Sequence, residues 1–294
     1  MHQSKRPTID DTLSTFLRTL SGANKSAATI TAYRTDLLQF VHFLHATNCT
    51  VAAPADVSRG DIAEYLAHLA ERGASGTTCA RKLASIREYF RFLDVQGLVA
   101  KNPTLGVQTP KKERGSRTAL RADEYTKLLS LAGANPRDYA ILQVFLQTGS
   151  RVSELCALTR EDVDFERRLL RIASGKGMKT RSIELEKKGI QAIKSYLAVR
   201  PASLSDTLFL NYQGEPLSER GVRKMVAKYL KASGITKKIS PHSLRHTFAT
   251  YKAERGVSPY VLREWLGHAR LDTTQIYVHM ARENTKKAME ATSL

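Results

Sequence analysis

Residues 240–246 read Ser240-Pro241-His242-Ser243-Leu244-Arg245-His246. Serine followed by proline is a strong helix start: the serine side chain accepts from an end N–H, and the fixed φ of proline suits the first helical position. His242 and Arg245, three apart, then share one face of the first turn, beside backbone N–H groups that no helical carbonyl reaches. A histidine, a guanidinium and those N–H groups make an anion pocket. The same stretch alone fits a capping histidine and an arginine paired with a surface carboxylate just as well, so its neighbours have to decide.

Upstream, Gln147-Thr148-Gly149-Ser150-Arg151-Val152-Ser153-Glu154-Leu155 sets an arginine directly after a glycine turn and at the head of a helix, with Glu154 one turn on to brace the guanidinium. Downstream, Trp265-Leu266-Gly267-His268-Ala269-Arg270 ends a helix at Gly267, and Thr273-Thr274-Gln275-Ile276-Tyr277-Val278-His279 follows. Between these stretches the hydrophobic period changes. Residues 163–173 and 178–185 are rich in β-formers and flank Ser174-Gly175-Lys176-Gly177, which predicts two strands joined by a glycine turn that displays a lysine. The remainder of this half predicts helices over 122–132, 137–148, from Val152, 187–199, 218–232, 241–255 and 258–266, with a last segment around 272–290.

The first hundred residues are helical throughout. Leu13, Phe16, Leu17 and Leu20 form one stripe, and Tyr33, Leu37, Phe40 and Leu44 a second. Ser58 with Asp61 makes a capping box before a third helix ended by Gly73, and a fourth ends at Gly97. Arg81, Arg87 and Arg91 on that fourth helix fit either a DNA backbone or a solvated face. The stretch 101–121 (KNPTLGVQTPKKERGSRTALR) holds six basic residues, two prolines, two glycines and one acid, and reads as a basic linker. The expectation is a mainly helical chain with a small β-sheet in its second half (α+β).

The chain has 294 residues, enough for about two domains. Its 46 Lys and Arg against 28 Asp and Glu give a net charge of +18, most of it after Pro110, where 34 basic residues face 19 acidic ones. That field points to a polyanionic partner. A composition 42% hydrophobic and 25% charged excludes a disordered polycation. Cys49, Cys79 and Cys156 form neither a CxxC pair nor a zinc spacing, so they read as buried apolar side chains in a reducing compartment. No segment approaches the roughly 18–20 apolar residues of a membrane span. The expected location is cytoplasmic, at the nucleoid.

In their order and spacing the four motif-bearing segments resemble the tyrosine recombinase (phage integrase) family, most closely its compact Xer-like members, over nearly the whole chain. The resemblance implies six site residues: Arg151 as the first catalytic arginine, Lys176 as the β-hairpin lysine, His242 and Arg245 as the HxxR pair, His268 as the histidine of the LGH motif, and Tyr277 as the nucleophile. All six positions carry the expected residue type. Ser150 departs from the family, which more often has an apolar residue there, and is expected to affect packing and not chemistry. The implied organisation is a helical core-binding (SAM-like) domain over 1–108, a basic linker over 109–118 and a catalytic domain over 119–294. The implied partners are double-stranded DNA and further copies of the chain or a related recombinase, two per site and four in the synapse, with no cofactor, no metal and no membrane. The resemblance implies that the tail beyond Tyr277 docks on a neighbouring subunit, while its sparse apolar residues fit an unstructured terminus nearly as well.

The chemistry of the residues agrees. Attack at phosphorus builds negative charge on the non-bridging oxygens, and the sequence shows no acidic metal cluster, so side-chain cations have to meet it. Arg151 and Arg245 do so with planar forks that a lysine ammonium cannot reproduce. A phenol has a reference pKa of about 10, so Tyr277 needs nearby cations to favour its phenolate. Lys176 is the preferred general acid for the leaving 5′-oxygen, with Lys179 and Arg181 as rivals. Alternation in MKTRSIEL otherwise sets Lys179 and Arg181 on one strand face, and they join Lys111, Lys112, Arg114 and Arg117 as candidate DNA-backbone contacts. The function expected is site-specific DNA recombination through a 3′-phosphotyrosyl intermediate, without metal or ATP. The alternatives are a type IB topoisomerase-like activity and a non-enzymatic DNA-binding or architectural protein.

Overall fold

In a computed structural model of the chain, residues 6–47, 51–111, 118–173, 180–237 and 239–267 are described. The chain divides into two compact units, Met1–Gly115 and Ser116–Leu294.

Four helices build the first unit: α1 (Ile9–Gly22), α2 (Ala27–Thr47), α3 (Arg59–Glu71) and α4 (Gly76–Val95). Each apolar stripe of the sequence becomes a buried face, with Leu13, Phe16, Leu37, Phe40, Leu44, Ile62, Leu83, Ile86 and Phe90 in one core. The Ser58–Asp61 capping box forms as its spacing requires, with Ser58 Oγ accepting from the Asp61 N–H and the Asp61 carboxylate accepting from the Ser58 N–H. Gly73 and Gly97 end α3 and α4 with φ of 76° and 67°. The arginines of α4 are not an unengaged row. Arg81 and Lys82 both pair with Asp36, an acid buried in α2, and Arg91 pairs with Glu88. Arg87 donates to the Val107 carbonyl and the Thr109 hydroxyl, tying the chain after α4 back to its side.

The second unit is helical around a small sheet: α5 (Ala122–Ala132), α6 (Pro136–Thr148), α7 (Val152–Ala157), β1 (Val163–Asp164), β2 (Leu169–Ile172), β3 (Arg181–Glu184), α8 (Lys187–Leu197), α9 (Glu219–Ser233), α10 (Pro241–Glu254) and α11 (Pro259–Leu266). Its core gathers Ile141, Leu142, Phe145, Leu155, Leu170, Ile172, Ile193, Phe209 and Leu244. The sheet has three antiparallel strands in the order β1-β2-β3, with Val163 opposite Leu170 and Leu170 opposite Ile183. The two-strand expectation therefore needs correcting. The run 163–173 contains a reversal in which Asp164 Oδ1 accepts from the Glu166 and Arg167 N–H groups and Arg168 takes a φ of 57°. Arginine there carries no glycine signal to mark the turn.

No described helix is long and apolar enough to cross a membrane. Cys79 is buried and Cys156 half-buried, its thiol pushed up to about 11 by desolvation.

Candidate active site

Gly149 is where the site begins. It ends α6 with a φ of 58°, and a Cβ at this position would stand 2.5 Å from Phe248 of α10 and 3.0 Å from Leu266 of α11. The missing side chain lets three helices meet at one point, and the positive φ favours the same residue. Ser150 follows, fully buried, and its hydroxyl finds no partner among the described residues. Arg151 then caps α7. Its backbone N–H donates to Glu154 Oε2 at 2.8 Å and its Nη1 to Glu154 Oε1 at 2.6 Å, the brace that the spacing of Arg151 and Glu154 predicts.

Ser240 caps α10 and Pro241 occupies its first position. His242 is exposed and Arg245, one turn on, is only 4% exposed. Arg245 Nη1 donates to the Gly149 carbonyl at 2.7 Å and Nη2 to the Leu266 carbonyl. Arg151, Val152, Ser153, Glu219, Pro241, His242 and Arg245, with Ser150, line a pocket of about 240 Å³. A larger cavity of about 600 Å³ against α5, α6 and α10 shares none of these residues and, among the described residues, has Glu186 and Lys188 as its charged lining groups. The smaller pocket is the one whose charge suits a phosphate.

The end of α11 completes the arrangement. A helix leaves its last carbonyls without helical donors, at the negative end of its dipole. Here three consecutive carbonyls each meet a different arginine: Trp265 accepts from Arg181 Nε at 2.6 Å, Leu266 from Arg245, and Gly267 from Arg151 Nη2 at 3.1 Å. Glu154 is the carboxylate among these cations, accepting from both Arg151 and Arg181. Burial pushes its carboxyl up, but the hydrogen bonds from Arg181 and from the Arg151 N–H, with the Arg181 charge, outweigh this and hold it at about 2.

Of the expected site residues, the structure brings Arg151, His242 and Arg245 to one pocket. Lys176, His268 and Tyr277 lie outside the described residues, as do Lys112, Arg114, Arg117 and Lys179. Lys111 is exposed. Arg181 corrects the sequence reading: the strand alternates as expected but in the opposite sense. Its side chain is 6% exposed and grips Glu154, so it does not stand on the exposed strand face that the reading assigned to it. The signal was present, since Ile183 and Leu185, of the same parity, are apolar and buried. Sequence reading also missed Glu219, whose place on the pocket wall no local motif announces. Among the described residues, no group of three or more His, Cys, Asp or Glu is placed to hold a metal ion.

Comparison with known proteins places this geometry in a lineage. The Phage integrase family profile matches residues 118–284, and the profile of the phage integrase N-terminal SAM-like domain matches residues 13–97. The chain is 39% identical over 267 residues to a protein of Thermodesulfovibrio yellowstonii named Tyrosine recombinase XerC, covering 87% of this chain and 86% of that one. It is 35% identical over 271 residues to a Listeria monocytogenes protein named Tyrosine recombinase XerD, covering 89% and 91%. Among solved structures, a lambda integrase tetramer bound to a Holliday junction shares the fold with a TM-score of 0.79 at 20% identity, over 93% of this chain and 78% of that one. With a catalytic-domain profile over more than half its length and relatives of this identity, the chain belongs to the phage integrase family, the tyrosine recombinases.

Proposed function

We propose that this protein is a site-specific DNA recombinase that breaks and rejoins strands by transesterification onto Tyr277. The observation that carries this reading is the convergence of Arg151, His242 and Arg245 on one phosphate-sized pocket. Arg245 is locked by the Gly149 and Leu266 carbonyls and Arg151 by Glu154, so both guanidiniums are set before a substrate arrives. Fixed cations of this kind stabilise the charge that grows on the non-bridging oxygens without reorganising at the moment of reaction.

In the proposed step the Tyr277 oxygen attacks the scissile phosphorus. A bond forms between them, the bond from phosphorus to the 5′-oxygen breaks, and the phenol proton passes to a histidine of the site. Lys176 gives its proton to the departing 5′-oxygen. The product is a 3′-phosphotyrosyl link with a free 5′-hydroxyl. A 5′-hydroxyl from a second strand reverses the step at the same phosphorus, so the energy of the original bond is kept and no ATP is consumed. The +18 net charge supplies the sequence-independent part of DNA binding, Lys111 and the basic residues 112–117 contributing to it, with a steep dependence on salt. Further copies of the chain or a related recombinase pair two sites for exchange, and the work is done at the nucleoid.

The test uses a duplex sequence selected from a random pool by binding to the Tyr277→Phe chain, then nicked near the cleavage point so that the leaving fragment diffuses away. The expected result is a denaturation-resistant protein–DNA adduct that forms in EDTA and is absent in Tyr277→Phe. No adduct on the selected sequence would favour the architectural alternative. An adduct without exchange between two sites would favour the topoisomerase-like one.

A further inference from the structure

We infer that Arg181 is a positioning residue for the two arginines that face the scissile phosphate, acting through Glu154 and the end of α11. This rests on the recombinase reading of the pocket.

Arg181 does not line the pocket, and its Nε, Nη1 and Nη2 are all engaged inside the fold. Its contacts lead to the two arginines that do. Arg181 Nη1 and Nη2 fork across Glu154, at 3.2 Å from Oε1 and 2.7 Å from Oε2. The same two oxygens accept from Arg151, Oε1 from its Nη1 and Oε2 from its backbone N–H. Glu154 is thus fully occupied, with one arginine inside the fold fixing its plane and another at the pocket taking its direction from that plane. Arg181 Nε meanwhile holds the Trp265 carbonyl, directly before the Leu266 and Gly267 carbonyls that Arg245 and Arg151 hold. Arg181 therefore also holds the carbonyl next to the two that anchor the pocket arginines. In sequence it also sits on the strand that follows Lys176, so one side chain joins that strand to the arginine pair. Lysine at 181 would keep the charge and lose the fork, since a single ammonium cannot span both carboxylate oxygens and the Trp265 carbonyl in one plane.

The experiment takes the full chain with Arg181→Lys and measures single-turnover adduct formation on the selected nicked duplex, DNA affinity and thermal unfolding. Two versions of the duplex are used, one with the ordinary scissile phosphodiester and one with a methylphosphonate there, in which a neutral methyl replaces a charged oxygen and lowers the demand on the guanidiniums. The expected result is a folded protein that binds DNA within about threefold of wild type. It cleaves the phosphodiester about 10²-fold more slowly, the cost of a misplacement of about 1 Å, and loses less than about tenfold on the methylphosphonate. Equal losses on both duplexes, or no loss on the phosphodiester, would overturn the inference. Should Arg181→Lys fail to fold, Arg181→Gln keeps a side-chain donor to Glu154 without the fork, and leaves Glu154 in place to brace Arg151. Folding restored with phosphodiester cleavage still impaired supports positioning; cleavage restored to the wild-type rate refutes it. Failure of the recombinase reading is a separate outcome, seen as absence of an adduct with the wild-type chain.

Discussion

Arg245 Nη1 donates to the carbonyl oxygen of Gly149 at 2.7 Å, joining the end of one helix to the start of another across 96 residues of sequence. That contact depends on Gly149 having no side chain, because a Cβ there overlaps Phe248 at 2.5 Å and the backbone sits at a φ of 58°. Gly149→Ala should cost about 1–2 kcal/mol for the left-handed conformation and about 1–3 kcal/mol more for overpacking. The chain is expected to unfold at a clearly lower temperature and to form little adduct. A melting temperature equal to wild type would contradict the close approach of α6, α10 and α11.

Arg245→Lys isolates the planar fork. A lysine ammonium cannot hold the Gly149 and Leu266 carbonyls and also present a pair of donors to a phosphate. Adduct formation should fall by about 10²–10³-fold, the scale of losing one preorganised donor group. DNA affinity, spread over many phosphate contacts, should change by less than about threefold. Equal losses in binding and cleavage would indicate an arginine used for docking alone.

Glu154 gives the site an acid limit. Its folded carboxyl lies at about 2, below the ordinary 4.5, so the stabilisation is fully present above about pH 4.5 and drains away as pH falls toward 2. The shift corresponds to something on the order of 3 kcal/mol. Urea midpoints measured from pH 6 to pH 3 should fall for the wild-type chain, and Glu154→Gln should start lower at pH 6 and decline less. Parallel curves for the two proteins would remove Glu154 from the pH dependence.

Ser150 carries a hydroxyl with no partner among the described residues, in a fully buried position. An unsatisfied buried polar group costs about 1–3 kcal/mol, and alanine removes it without adding volume. Ser150→Ala is therefore expected to raise the melting temperature by about 2–4 °C for each kcal/mol recovered, with cleavage unchanged. A lowered melting temperature would mean that the hydroxyl has a partner beyond the described residues.

The helices were legible because burial on one side of a helix writes itself into sequence every three to four residues, and because Ser58, Pro136, Pro241, Gly97, Gly149 and Gly267 punctuate them. The sheet was legible only in part. Nothing about Arg168 marks a turn, and a four-residue strand such as β3 fixes its alternation without stating which face is inward unless its apolar parity is used. The pocket arginines, their histidine and the Glu154 brace of Arg151 stood out by type and spacing, whereas the other anchors did not. Those anchors are the backbone carbonyls of Gly149, Leu266 and Gly267, and a carbonyl has no residue identity to read. The contacts of Arg181 with Trp265, 84 residues away, and of Arg151 with Gly267, 116 away, exist only once the chain is folded.

Glu219 places a negative charge on the wall of a pocket whose other charged groups suit an anion. Its carboxylate pairs with Arg223 one turn along α9, and the two side chains are 41% and 56% exposed. A phosphate in this pocket would meet a partly screened repulsion, and Arg223 is engaged by the same acid. Glu219→Gln removes the repulsion and releases Arg223 toward the duplex. At distances of several ångströms and partial exposure the change amounts to about 0.5–1 kcal/mol, or about two- to fivefold tighter binding at low salt, shrinking as the ionic strength rises toward 0.5 M. The product complex gains the same advantage, so turnover through rejoining should slow while adduct formation does not. Affinity unchanged at low salt, or a gain that persists undiminished at 0.5 M, would show that Glu219 does not act on the phosphate through its charge.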